Sequence, residues 1–103
     1  MAIRSDSVVT RKCSATEIKR QIGVRVLMSC GARDFVDTGD GLRFAVGLGQ
    51  RRMKIIIKLA ANDTYVVERI RLPRGKVEYV SEAYMEDIYA ENLPEVVLRL
   101  GDV

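Results

Sequence analysis

From Met53 to Leu59 apolar side chains fall on every second residue, Met53, Ile55, Ile57 and Leu59, with Lys54 and Lys58 between them. Alternation of this kind puts successive side chains on opposite faces of a half-buried strand, so it commits the chain to a sheet. Ala60-Ala61-Asn62-Asp63 then predicts a turn into residues 64–72, and Pro73-Arg74-Gly75-Lys76 a second turn into residues 77–81. Upstream, Phe35-Val36 and residues 42–46 flank Asp37-Thr38-Gly39-Asp40-Gly41, a link suited to a hairpin.

Simple antiparallel registers place Lys58 opposite Tyr65, Ile56 opposite Val67 and Lys54 opposite Arg69 on an outer face, with Arg71 meeting Glu78. Met53, Ile55, Ile57, Val66, Ile70, Leu72, Val77 and Tyr79 then face the core. Glu68 is the one residue that this inner face does not accommodate.

The flanks of the strand region read as helices. Ser14-Ala15-Thr16-Glu17 has the spacing of a capping box. Ile18, Ile22, Val26, Leu27 and Cys30 follow at helical spacing up to Gly31, interrupted by Gly23. Near the end, Leu93, Val96, Val97 and Leu100 form a second stripe stopping at Gly101, and Pro94 confines the helix start to residues 90–93. The order predicts a two-layer α+β domain: N-terminal helix, antiparallel sheet of four or five strands, C-terminal helix. Residues 1–13, without either period, read as a flexible basic arm, and residues 14–103 as one domain.

The 103 residues suit a single core, and 48% hydrophobic with 30% charged residues is the balance of a globular protein. No apolar run reaches the roughly 18 residues of a membrane span, and residues 1–10 lack the apolar stretch of a signal peptide, so a cytoplasmic location is expected. Histidine is absent, which removes the commonest general base and metal ligand. Cys13 and Cys30 supply at most half of a zinc site and read as reduced thiols. Neither a cofactor nor an enzymatic activity is expected.

Charge is segregated along the chain. Residues 1–76 hold 16 Lys or Arg against 7 Asp or Glu, whereas residues 77–103 hold 1 against 7. Two surfaces follow as candidates. The basic one comprises Lys54, Lys58, Tyr65, Arg69 and Arg71 on the outer sheet face with Arg51, Arg52, Arg74 and Lys76 in loops, where cations would neutralise phosphates and Tyr65 would stack on a base. The acidic one, Glu82, Glu86, Asp87 and Glu91, would meet a basic protein surface normally occupied by nucleic acid. The ordinary readings are a solvated sheet face and acids complementing a helix dipole.

Asp37-Thr38-Gly39 matches the short signature of aspartic proteases, which require two such aspartates across a dimer. A capped helix precedes it here, and Asp40-Gly41 makes the segment an ordinary turn. It also lacks the oxygen ladder of a calcium loop.

Gly31-Ala32-Arg33-Asp34-Phe35-Val36, Leu42-Arg43-Phe44, Asp63-Thr64-Tyr65 and Tyr89-Ala90-Glu91-Asn92-Leu93 together resemble a group of small phage and prophage proteins with G-A-K-x-F, L-x-F, D-T-Y and Y-A-D-x-L motifs. The likeness spans about residues 14 to 100. Arg33 replaces the usual lysine, Glu91 the usual aspartate, and Pro94 is inserted in the last helix. The resemblance implies a protein of a mobile element acting inside a bacterial cell, with no catalytic residue to carry over. It implies stoichiometric binding, in the manner of anti-CRISPR inhibitors of host defence. The expected partner is a bacterial protein complex, a CRISPR effector among the candidates, with nucleic acid as the alternative.

Overall fold

Ser14 opens the first helix as its spacing predicts, its hydroxyl accepting the Glu17 amide at 3.4 Å. That helix, α1, runs over Ala15–Ile22 and stops at Gly23, whose φ of 92° is foreign to a helix and easy only for glycine. The chain restarts as α2, Val24–Ser29, so the single helix expected from the stripe is two short ones bent at Gly23. Ile18, Ile22, Leu27 and Cys30 are buried nonetheless, because the bend keeps both apolar faces on one core.

The structure is a computed structural model that describes residues 3–47 and 53–101. After the helices come β1 (Arg33–Asp37), β2 (Gly41–Val46), β3 (Met53–Leu59), β4 (Tyr65–Arg71) and β5 (Val80–Ile88), then a 3₁₀ turn (Ala90–Asn92) and α3 (Leu93–Gly101). The five strands form one antiparallel meander in chain order, an α+β fold. α1 lies over β2, and α3 over β3 and β4. Pro94 sits in the first turn of α3, where its missing amide has no helical partner to lose. Leu42, Phe44, Ile55, Ile57, Val67, Leu93 and Val97 are fully enclosed between the layers.

The β3–β4 register differs from the expected one by one residue. Leu59 pairs with Tyr65, Ile57 with Val67 and Met53 with Arg71. Asp63 causes the shift: it adopts φ 67°, extending the connection to a three-residue loop closed by the Ala60 amide on Thr64 O at 2.8 Å. A slip of one residue exchanges the faces of an entire strand. Tyr65, Val67, Arg69 and Arg71 therefore turn to the helices, while Val66, Glu68 and Ile70 join Lys54, Ile56 and Lys58 on the other face.

The last strand also lies later than expected. Residues 77–79 are irregular and Val77 is 95% exposed, while β5 begins at Val80, opposite Arg71. Two bulges, near Glu82 and near Asp87, lengthen β5 relative to β4, and a third at Asp34 interrupts β1. The three non-glycine residues with positive φ are Asp34, Asp63 and Asp87, so aspartate supplies every such kink among the described residues. Both sheet edges are bulged, which discourages edge-to-edge pairing.

The second sheet face is covered in part by the N-terminal segment. A 3₁₀ turn at Arg4–Ser7 packs on β4 and β5. Glu68, fully buried, accepts the Arg4 amide at 2.9 Å and the Ser5 amide at 3.0 Å. The segment continues along the sheet end: Arg11 donates its amide to Leu59 O, Ala61 to Val9 O and Cys13 to Gly39 O. Of residues 1–13, which the sequence reads as a flexible basic arm, the described residues 3–13 are bound to the sheet, because backbone donors among them find acceptors there and Ser5 is buried.

Burial alone would raise the Glu68 pKa. Hydrogen bonds from the Ser81 hydroxyl and from the Ser5 and Arg4 amides outweigh it and hold the carboxyl below the ordinary glutamate value. A carboxyl lowered by folding stabilises the fold above its unfolded pKa, and that contribution disappears as pH falls through the folded one. Glu68→Gln is expected to cost about 1–3 kcal/mol in urea unfolding at neutral pH. The gap from the parent should narrow below about pH 4.3; an equal gap at both ends of the range contradicts the assignment.

Asp63 provides a second test. Asp63→Gly keeps the left-handed turn and should stay within about 0.5 kcal/mol of the parent, whereas Asp63→Val should lose at least about 1 kcal/mol. Equal melting behaviour of the two variants would show that the turn does not set the register.

Candidate functional site

The basic residues expected to share one face are divided between two. Tyr65 is buried at 5% exposure, and its hydroxyl donates to Gln21 Oε1 at 2.7 Å. Burial raises its pKa, with the neighbouring Cys13 adding to the effect. It is a core residue and not a stacking platform. Arg69, on the same face, donates through Nη1 to Leu100 O at 2.9 Å and lies 3.4 Å from Glu82. Arg71 lies 3.7 Å from the other oxygen of Glu82, not beside Glu78 as the shorter register required. Glu82 is the extra residue of a bulge, which brings its carboxylate between two guanidiniums.

On the opposite face Lys58 donates to Ser5 O at 3.3 Å and so helps hold the N-terminal segment. Lys54 points its ammonium at the Tyr79 ring, 5.4 Å from the centroid. Arg74 and Lys76 are exposed in the turn closed by the Lys76 amide on Pro73 O. Arg51 and Arg52 lie outside the described residues.

The acidic candidates remain together except for Glu82. Glu86 accepts the Tyr84 hydroxyl at 3.2 Å, and Asp87 accepts the Asn62 side-chain amide at 3.5 Å. Asp87 at φ 58° forms the bulge that ends β5. Glu91 follows on the exposed 3₁₀ turn, and between them Tyr89 stands 60% exposed. No cation among the described residues pairs with Glu86, Asp87 or Glu91. A short acidic projection therefore carries an aromatic ring at its centre.

Three features carry little or no sequence signal. Tyr89 stands in the sequence only as the first residue of the Tyr89–Leu93 run. Arg43 was passed over although it lies between Leu42 and Phe44, where alternation alone turns it away from the core. Arg4 over Tyr84, at 4.2 Å from the ring centroid, carried no sequence signal because the N-terminal segment docks from 80 residues away.

The Asp37-Thr38-Gly39 segment is a hairpin turn. Asp37 accepts the Gly39 amide at 2.8 Å, and Thr38 and Thr10 donate their hydroxyls to Asp40 at 2.9 and 2.7 Å. Burial acts to raise the Asp40 pKa, but these hydroxyls and Lys58 bring it below its ordinary value. Cys13 and Cys30 are free thiols that burial shifts upward. Neither has the lowered pKa of an activated nucleophile. No described helix is long and apolar enough to cross a membrane. Compared with protein-family models, curated proteins and solved structures, the chain matches none.

Tyr65 and Arg69 act as scaffold in this geometry. Tyr65→Phe should lower stability by about 0.5–1.5 kcal/mol, by removal of the bond to Gln21, and leave every surface unchanged. Any change in ligand affinity with unaltered stability would restore Tyr65 to a binding role.

Proposed function

We propose that the chain is a non-enzymatic binding protein of phage or prophage origin that inhibits a bacterial host defence complex, a CRISPR effector among the candidates. It acts inside the host cell by seating its acidic projection on a basic surface that otherwise holds nucleic acid. The observation that carries this reading is the exposed stretch Glu86, Asp87, Tyr89 and Glu91 at the end of an edge strand. Its carboxylates lack cationic partners among the described residues, so a partner's Lys and Arg would not compete with internal pairs. Complementary fields speed encounter and reject like-charged partners. Tyrosine contributes contact area at small entropic cost and is enriched among residues that dominate binding energy.

The resemblance to small phage proteins supports the cellular setting, and the projection supports the mode of binding. A nucleic-acid platform built on Tyr65 and Arg69 loses its support, since both side chains are used within the fold.

The test is capture from nuclease-treated bacterial lysate with tagged full-length chain, followed by nucleic-acid binding assays on the captured complex. The expected partner survives nuclease, and its own nucleic-acid binding is blocked by the chain. Glu86→Lys, Glu91→Lys and Tyr89→Ala combined should weaken capture at least about tenfold, with Asp87 spared because its backbone conformation is strained for other residues. A captured complex that still binds nucleic acid, or full capture by the triple variant, rejects the proposal.

A further inference from the structure

The cations of this fold separate by whether they have a counter-charge. Arg69 and Arg71 share Glu82, while Arg11, Arg20 and Arg99 pair with Asp63, Glu17 and Glu95. Arg43 and Lys54 differ from all of these. They stand on neighbouring strands of the sheet face opposite the helices, in the adjacent pairs Arg43–Ile56 and Ala45–Lys54. Both are half-buried. Arg43 makes no hydrogen bond or ion pair among the described residues, its Nε is buried without a partner, and Lys54 meets only the Tyr79 ring.

Partial burial of a cation costs solvation, and proteins ordinarily repay it with a carboxylate. The one carboxylate in this cross-strand row, Glu68, cannot serve. It follows Arg43 and Ile56 in the register and is committed to the amides of Arg4 and Ser5. The N-terminal 3₁₀ turn packs on β4 and β5, while Arg43 and Lys54 lie on β2 and β3. Arg43 and Lys54 are thus two adjacent, partly desolvated cations without an anion, bordered by a tyrosine.

We infer that the β2–β3 half of this face binds single-stranded nucleic acid, with Arg43 and Lys54 on successive phosphates and Tyr79 as the ring on which a base stacks. Charge complementarity selects a polyanion, and the tyrosine selects a strand whose bases are free to leave their stack. Tyr79 now faces the Lys54 ammonium, so a bound strand would draw the lysine to a phosphate and open the ring to a base. The site is distinct from the acidic projection on β5, and it holds or fails independently of the inhibitor reading.

The experiment is fluorescence anisotropy of labelled single-stranded DNA and RNA oligonucleotides with the full chain, at about 50 and 200 mM salt. Binding should weaken severalfold between the two salt concentrations, the slope of about two phosphate contacts on a single strand. Arg43→Glu and Lys54→Glu should each raise Kd at least about tenfold and flatten the salt dependence by about one contact. Tyr79→Ala should weaken binding without changing that slope. Arg25→Glu, an equal charge change on an exposed residue of α2, should bind as the parent does. Arg43→Gln and Lys54→Gln, checked by circular dichroism, replace any reversal that unfolds. Three results overturn the inference: no binding at low salt, an effect of Arg25→Glu equal to that of Lys54→Glu, or duplex held more tightly than single strand.

Discussion

A fully buried carboxylate in the middle of a sheet fixes what the rest of this molecule does. Glu68 stands on the central part of β4, and without donors its charge would cost several kcal/mol. Two backbone amides of the N-terminal 3₁₀ turn and the Ser81 hydroxyl provide them. This turn has no side-chain cap of its own, so Glu68 performs across 63 residues what an N-cap residue does locally. The bond is reciprocal: the turn satisfies the carboxylate, and the carboxylate holds the turn against β4 and β5.

That arrangement explains the composition of β4. Six of its seven residues are buried or half-buried, on both faces, which a two-layer fold would not require. With helices on one side and the N-terminal segment on the other, β4 lies within three layers. Val66 and Ile70 are buried on the segment's side, beside Lys58 and Lys54, their partners in the register. The N-terminal residues are therefore part of the fold, and they pack on the β4–β5 side of the second sheet face.

Sequence pattern revealed the parts governed by short-range physics. The alternation in β3, the Ser14 cap, the position of Pro94 and the apolar stripe of α3 each depend on neighbours within a few residues, and each stands where expected. The errors arose where one residue changes a count or where partners are distant. Asp63 in a left-handed conformation added a residue to a turn and exchanged the faces of β4, which dispersed the supposed basic platform. Bulges at Glu82 and Asp87 moved β5 in the same way. Glu68 looked like a misfit because its partners, Arg4 and Ser5, lie in a segment with no periodicity to read. The acidic candidates remained legible because Glu86, Asp87 and Glu91 are close in sequence, so no register error could separate them.

Charge counts say how many cations a chain has, whereas only the fold says which are already satisfied. Arg69 and Tyr65 looked like binding residues by type, yet their hydrogen bonds to Leu100 and Gln21 join the sheet to the helices. Arg43 drew no attention by type, yet its Nε is buried without a partner and, unlike Arg69, it has no hydrogen bond or ion pair among the described residues. Arg43 and Lys54 span only two strands, so the proposed ligand would make few phosphate contacts there. Few contacts mean modest affinity and a shallow total salt slope, with each cation a large share of both. The acidic projection follows the opposite logic: its charges are exposed, so in the proposed complex their main effect would be on encounter rate, and Tyr89 would supply the buried area that makes the complex last.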